Sequence, residues 1–192
     1  MTSHNDNPWV TTYSGIQFFC LNPDPGSVRI LDIAHGLSNI CRYMGQCREF
    51  YSVAEHCVRM AEYLQRTRHI TFMSAMALFH DAPEAYLSDI NSTLKDRLPE
   101  YKRIEEGIAS VIYKVYGVPT KGLVAAQCGA AVKELDVLIR TAEVRSLFNS
   151  HNGWVLRDFD YPKIKPWSPR KAERKYLETF RRIYGTHFNY GT

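Results

Sequence analysis

The run from Phe72 to Phe79, Phe-Met-Ser-Ala-Met-Ala-Leu-Phe, is the most apolar stretch of this chain, and it ends in His80-Asp81-Ala82-Pro83-Glu84. A helix made from residues that are apolar on every side has no face to offer water, so it must be buried. Pro83 disfavours helical geometry in the residue before it, so the pattern predicts a helix that starts at Thr71 and stops near Ala82. The polar residues that close it are then carried to the edge of the core. An imidazole and two carboxylates are costly there unless something satisfies them. A divalent cation satisfies an adjacent His and Asp at once.

Two other segments supply matching groups. Ser52-Val53-Ala54-Glu55 reads as a capping box that opens a helix with Val53, Cys57, Met60 and Leu64 inward, and it carries His56 to the same side. Taken alone, His56 is a core histidine bonded to a carbonyl. Asp136 sits inside Leu135-Asp136-Val137-Leu138-Ile139, where an unpaired buried carboxylate either costs several kcal/mol or takes up a proton. An ion pair with Arg140, four residues on, is the structural alternative. Together His56, His80, Asp81 and Asp136 form a mixed nitrogen and oxygen ligand set of the kind hydrolytic metal sites use.

The remaining chain frames this cluster. Its 192 residues fit one domain, 1–192, and 45% apolar with 23% charged residues excludes a disordered chain. A net charge of +4 attracts phosphates weakly and decides nothing by itself. Five cysteines, odd in number and without a C-x-x-C pair, argue against a disulfide framework or zinc ribbon and for a reducing, cytoplasmic setting. Met1 to Asp6 lacks a leader's basic cap and apolar core, and no apolar run reaches membrane-spanning length. Tyr13 to Leu21 reads as a strand followed by a turn, and Ser27 as the N-cap of a helix with Ile30, Ile33, Ala34, Leu37, Cys41 and Met44 on one face. Further helices are expected from about Pro99 to Tyr116, from Gly122 to Asn149, and after Ser168-Pro169 with Tyr176, Leu177, Phe180, Ile183 and Tyr184 as a docking stripe. The fold class is all-α, a helical bundle with a small N-terminal β element. The basic residues of the last helix read as a solvated face rather than a nucleic-acid contact, because Glu173 and Glu178 break the run.

The order His56, His80-Asp81, Asp136, each on an expected helix, resembles the H…HD…D pattern of the HD-domain metal-dependent phosphohydrolases. Glu84 falls where the nucleotidase branch keeps its catalytic acid. The chain is most similar to the small helical 5′-deoxynucleotidases and the phage dATP triphosphohydrolases, from about Ile30 to Glu143. Arg42-Tyr43 matches their Arg-aromatic pair, and Asp89 to Lys95 matches their acidic-then-lysine loop. The resemblance implies an HD-domain bundle, a nucleotide substrate cleaved at the α-phosphorus, and a homo-oligomer. The expected core ion is Mn, Co, Fe, Ni or Zn, with a hydrated Mg²⁺ added by a triphosphate substrate.

Roles for the surrounding residues follow from their chemistry. Glu84 could handle a proton of the water or leaving group. Arg42 and Lys95 would hold phosphate oxygens, and Asp89 either orients Arg42 or bonds a sugar hydroxyl. His35, Ser38 and Asn39 form a polar stripe with Arg42 that could meet base and sugar, with Tyr43 packing nearby, or could face water. The leading expectation is a deoxynucleoside triphosphohydrolase, possibly for dATP, with a monophosphate-specific 5′-deoxynucleotidase as the alternative. A catalytically silent nucleotide-binding HD module is the alternative of a different class.

Overall fold

The computed structural model describes residues 8–185, so the leader reading of Met1 to Asp6 lies outside the described residues. The chain opens with a hairpin in which β1 (Val10–Thr11) pairs antiparallel with β2 (Gln17–Phe18), Val10 opposite Phe18. The strand expected over Tyr13 to Leu21 is thus cut short, because Tyr13, Ser14 and Gly15 make the turn and Gly15 sits at φ +82°. The Ser14 backbone N–H and hydroxyl both donate to the buried Asp32 carboxylate, at 2.7 and 2.8 Å, and fasten this turn to the first helix.

That helix, α1 (Ile30–Asn39), begins after Arg29 rather than Ser27 and has no side-chain cap. Ser27 instead ends a short 3₁₀ turn (Pro25–Ser27), where its hydroxyl donates to the Asp24 carbonyl. A second 3₁₀ turn spans Arg42–Gly45. In α2 (Val53–Arg68) the Ser52 hydroxyl accepts from the Glu55 N–H at 3.1 Å, as the capping box requires. The reciprocal half of the box is diverted, because the Glu55 carboxylate takes two bonds from Arg59 and one from the Trp167 N–H. Val53, Cys57, Met60 and Leu64 all point inward.

Helix α3 (Thr71–Phe79) is buried from Met73 to Phe79, while Phe72 in its first turn is exposed. It ends three residues earlier than the pattern predicts. Pro83 has no N–H to offer the Phe79 carbonyl, and Ala82 donates to that oxygen instead, at 3.0 Å. The tight turn holding His80 and Asp81 then leads into α4 (Glu84–Leu87). Gly36 of α1 lies where α4 crosses closely, since a Cβ there would stand 3.0 Å from Ala85.

After α5 (Ser92–Lys95) come α6 (Pro99–Val115), the 26-residue α7 (Gly122–Leu147) and α8 (Pro169–Tyr184). Helices α2, α3 and α7 pack together, and α8 closes over α1 and α2. Tyr176 and Phe180 of the expected docking stripe are fully buried, and the Tyr176 hydroxyl donates to the Leu78 carbonyl at 2.7 Å. The protein is all-α with a two-strand β element. Among the described residues no helix is long and apolar enough to cross a membrane, and all five cysteines are free.

Candidate metal centre

Three elements deliver the candidate ligands to one point. The capped first turn of α2 presents His56, fully buried; the turn after α3 presents His80 and Asp81; α7 presents Asp136. His56 Nε2 lies 3.1 Å from His80 Nε2 and 3.3 Å from Asp136 Oδ1. Asp81 Oδ2 is 3.1 Å from His80 Nε2 and 3.8 Å from His56 Nε2. Ligand atoms held ~2.1 Å from one ion are separated by ~3.0–3.4 Å in octahedral or tetrahedral geometry, so three of these spacings fit a shared cation and the 3.8 Å between Asp81 and His56 is wider.

The tautomers strengthen that fit. His80 Nδ1 lies 2.7 Å from the Ala77 carbonyl, which can only accept, so this nitrogen carries the hydrogen. His56 Nδ1 lies 2.6 Å from Glu143 Oε1. Burial acts against the Glu143 charge, but Arg42 and His56 override it and hold this carboxyl well below the usual range, so it too is an acceptor. Both Nε2 atoms therefore point toward each other and toward two carboxylates, the edges from which a cation would be held. Burial likewise opposes the charges on Asp81 and His80. Their mutual attraction outweighs it, lowering the Asp81 pKa and raising that of His80. The raised pKa favours a proton on His80 that a bound cation would replace, so either can supply the positive charge these carboxylates face. His56, His80 and Asp136 form one grouping that could hold a metal ion, and Cys57, His80 and Asp81 form a second that shares His80.

Glu143 is the residue that sequence reasoning missed. It lies two helical turns beyond Asp136, on the same side of α7, with no exposed surface. It accepts from Tyr51 at 2.9 Å, from Tyr43 through a short bond, and from Arg42 at 3.5 Å. A carboxylate behind a ligating imidazole fixes its tautomer and raises its basicity. The seven-residue spacing from Asp136 within an apolar stripe is the signal that could have revealed it. Tyr43 and Met44 both adopt left-handed conformations (φ 57° and 54°), which cost non-glycine residues roughly 1–2 kcal/mol each. Its bond to Glu143 and edge-on packing against Phe148, 5.1 Å away, hold Tyr43 there.

The ligand cluster opens into a cavity of about 540 Å³. Arg42, Asp81, Glu84 and Asp136 line it on one side, and Tyr43, Phe148 and Trp154 form an aromatic wall. Glu84 is nearly fully buried, and its Oε2 has no partner. Burial, with Asp81 and Asp89 nearby, pushes its pKa well above the usual carboxylate value despite Arg42 and Lys95.

Several expected contacts are arranged differently. Arg42 bonds Asp81 at 3.2 Å and reaches Asp136 and Glu143, not Asp89, so it knits the ligand cluster together. Lys95 lines the cavity but is held by Glu105 at 2.6 Å, with Glu84 at 3.8 Å. Asp89 lines the cavity as well. Asp136 and Arg140 do not pair, because Asp136 turns to His56. Arg140 lines the cavity and enters none of the ion pairs among the described residues. His35, Ser38 and Asn39 do not line it. His35 stacks on Tyr13 and faces Glu173 of α8, Ser38 is buried with its hydroxyl on the His35 carbonyl, and Asn39 folds back onto α1. Packing of α1 against α8 turns that polar stripe away from the cluster.

A helical protein with a cluster of His and Asp side chains that could hold a metal ion, opening into a cavity, is the class that fold and site define. No protein-family model matches the chain. It is 38% identical over 177 residues to the uncharacterized protein YfdR of Escherichia coli, covering 90% of this chain and 93% of that one. A second relative, the uncharacterized protein RCAP_rcc00048 of Rhodobacter capsulatus, is 29% identical over 159 residues, covering 80% of each chain. The chain belongs to the same family as YfdR.

Proposed function

We propose that this protein is an HD-type metal-dependent phosphohydrolase that cleaves a deoxynucleotide at its α-phosphorus. The single observation that carries this reading is the convergence of two imidazole nitrogens and two carboxylates beside a cavity that also holds the buried Glu84, whose Oε2 has no hydrogen-bond partner. His56, His80, Asp81 and Asp136 would hold the ion, and this donor set suits Mn, Co, Fe, Ni or Zn better than Mg. When bound, such an ion supplies Lewis-acid polarisation of the phosphoryl group and of the attacking water.

The chain's own groups supply the rest. Burial, with Asp81 and Asp89 nearby, favours the protonated form of Glu84, which suits donation to the departing 5′ oxygen. In that step the water oxygen bonds to the α-phosphorus, the bond from phosphorus to the 5′ oxygen breaks, the Glu84 proton passes to that oxygen, and a proton lost by the attacking water restores the Glu84 acid. Arg140 would steady phosphate oxygens, and the wall of Tyr43, Phe148 and Trp154 offers a planar base an apolar surface. A cavity of about 540 Å³ falls within the range of small-molecule sites.

The leading substrate is a deoxynucleoside triphosphate, dATP among them, released as deoxynucleoside and triphosphate. A second, hydrated Mg²⁺ would accompany it. The pairing of Lys95 with Glu105, and of Arg42 with acids, leaves Arg140 as the cation without an ion pair among the described cavity residues. That observation favours the second reading, a 5′-deoxynucleotidase that binds one phosphate. Five free thiols suit a reducing compartment, and a homo-oligomer is part of the proposal. Chromatography of products from dATP and dAMP tests both readings. Triphosphate as the first product supports the triphosphohydrolase, faster turnover of dAMP supports the nucleotidase, and turnover of neither leaves only a silent nucleotide-binding module.

A further inference from the structure

On α8 the residues Arg170, Arg174, Leu177 and Arg181 recur at helical spacing on one side, with Lys171 beside them. Read from sequence alone, such a stripe is a solvated face. The fold places it across a cleft of about 790 Å³ from two stacked rings, Tyr13 and His35, and both rings and these residues line that cleft. The Tyr13 and His35 rings lie 3.8 Å apart and within 10° of parallel. Tyr13 is 64% exposed and still held in place, because Ser14 next to it is bonded twice to the buried Asp32. An exposed aromatic ring fixed in orientation is a platform whose ordering is already complete before a ligand arrives.

The charge around it is one-sided. Glu173 is the acid in the cleft lining, and it is occupied by His35 at 3.2 Å. Arg174 holds Glu178 at 2.9 Å, an exposed pair that a phosphate can displace at little cost. Lys171 lies over the Trp167 ring at 5.4 Å, with its charge still available to an anion. Aromatic platforms flanked by a basic track are how proteins hold nucleotides without reading sequence.

We propose that the cleft between the Tyr13 turn and α8 is a second binding site, for a nucleoside phosphate whose base stacks on Tyr13 and whose phosphates lie against Arg170, Lys171 and Arg174. The ligand is either a free nucleotide or one unit of a single strand, which share this chemistry. The site is separate from the metal cavity and stands whether or not that cavity hydrolyses nucleotides.

The test measures fluorescence anisotropy of two probes on the full chain in EDTA: a fluorescent dATP analogue and a labelled single-stranded oligodeoxythymidylate. Wild type binds one or both, and the one that binds identifies the source. Tyr13→Ala weakens that binding by about tenfold or more, the scale of losing one stacked base. The double variant Arg170→Glu/Arg174→Glu weakens it further and flattens its salt dependence. Tyr13→Phe and Arg170→Lys/Arg174→Lys retain binding, and all four variants keep the wild-type melting temperature. Failure of wild type to bind either probe at ~100 mM salt overturns the proposal. So does binding that survives in either disruptive variant.

Discussion

Glu143 Oε1 stands 2.6 Å from His56 Nδ1, and this contact, between α7 and α2, sets which face of the imidazole looks into the cavity. Four groups converge on the same carboxylate: His56, Tyr43, Tyr51 and Arg42. The loop that carries Arg42 and Tyr43 is thereby tied to the helix that carries Asp136. Glu143→Ala is expected to lower metal affinity by about 10–100-fold, as loss of such an outer carboxylate does. Metal titration monitored by isothermal calorimetry measures this, and unchanged affinity would show that the contact has no hold on the ligand.

Glu84→Gln should abolish turnover while leaving metal content unchanged, and it should also stabilise the metal-free protein at neutral pH. Burial, then Asp81 and Asp89, raise the Glu84 pKa in the folded state. As pH rises above the ordinary carboxylate value, the unfolded chain loses this proton before the folded one does, so stability falls until the raised folded value is passed. The glutamine variant escapes that loss. Its melting temperature should match wild type in acid and exceed it at neutral pH, as thermal scans across that window would show.

The Glu143 carboxylate has the opposite sign. Its folded-state pKa is depressed, with Arg42 and His56 outweighing burial, so its stabilisation is complete above the ordinary carboxylate range. It is lost as pH falls below that range toward the depressed value. The destabilisation caused by Glu143→Gln should therefore shrink as pH falls through that window, readable by denaturant melts in EDTA at each pH.

If the folded cluster binds a cation that the unfolded chain holds poorly, chelation should lower the melting temperature. At a hundredfold excess of ion over Kd the expected stabilisation is about 2.7 kcal/mol, which corresponds to roughly 5–10 °C for a chain of this length. Scanning calorimetry with EDTA, then with Mn²⁺, Co²⁺ or Zn²⁺ restored, checks both the effect and the order of ions.

Arg140→Ala should raise KM about tenfold with little change in kcat, if Arg140 holds phosphate in ground and transition states alike. Lys95→Ala should impair dATP more than dAMP if Lys95 leaves Glu105 to meet a longer phosphate chain. Equal effects on both substrates would favour the single-phosphate reading. Steady-state kinetics on the two nucleotides separates these outcomes.

Local patterns in the chain were enough to place the α2 cap at Ser52, the buried α3, the cap of α8 at Ser168, and four side chains, His56, His80, Asp81 and Asp136, that the fold brings close together. Each of these depends on short-range physics: a hydroxyl beside a free N–H, a proline that cannot donate, a polar residue set among apolar ones. Contacts across the fold had no such signature. The spacing of Glu143 from Asp136 marks its side of α7, but its partners Tyr43, Tyr51 and His56 arrive from segments roughly 90–100 residues away. Arg42 reads as a free phosphate ligand until α3 and α7 bring Asp81 and Glu143 against it. The stripe of His35, Ser38 and Asn39 is polar by composition, and only the docking of α8 on α1 decides that it meets Glu173 and Tyr13 instead of the metal cavity. Periodicity tells a residue which side of its own helix it occupies, whereas the partner on that side is chosen by how whole helices bury their apolar faces against one another.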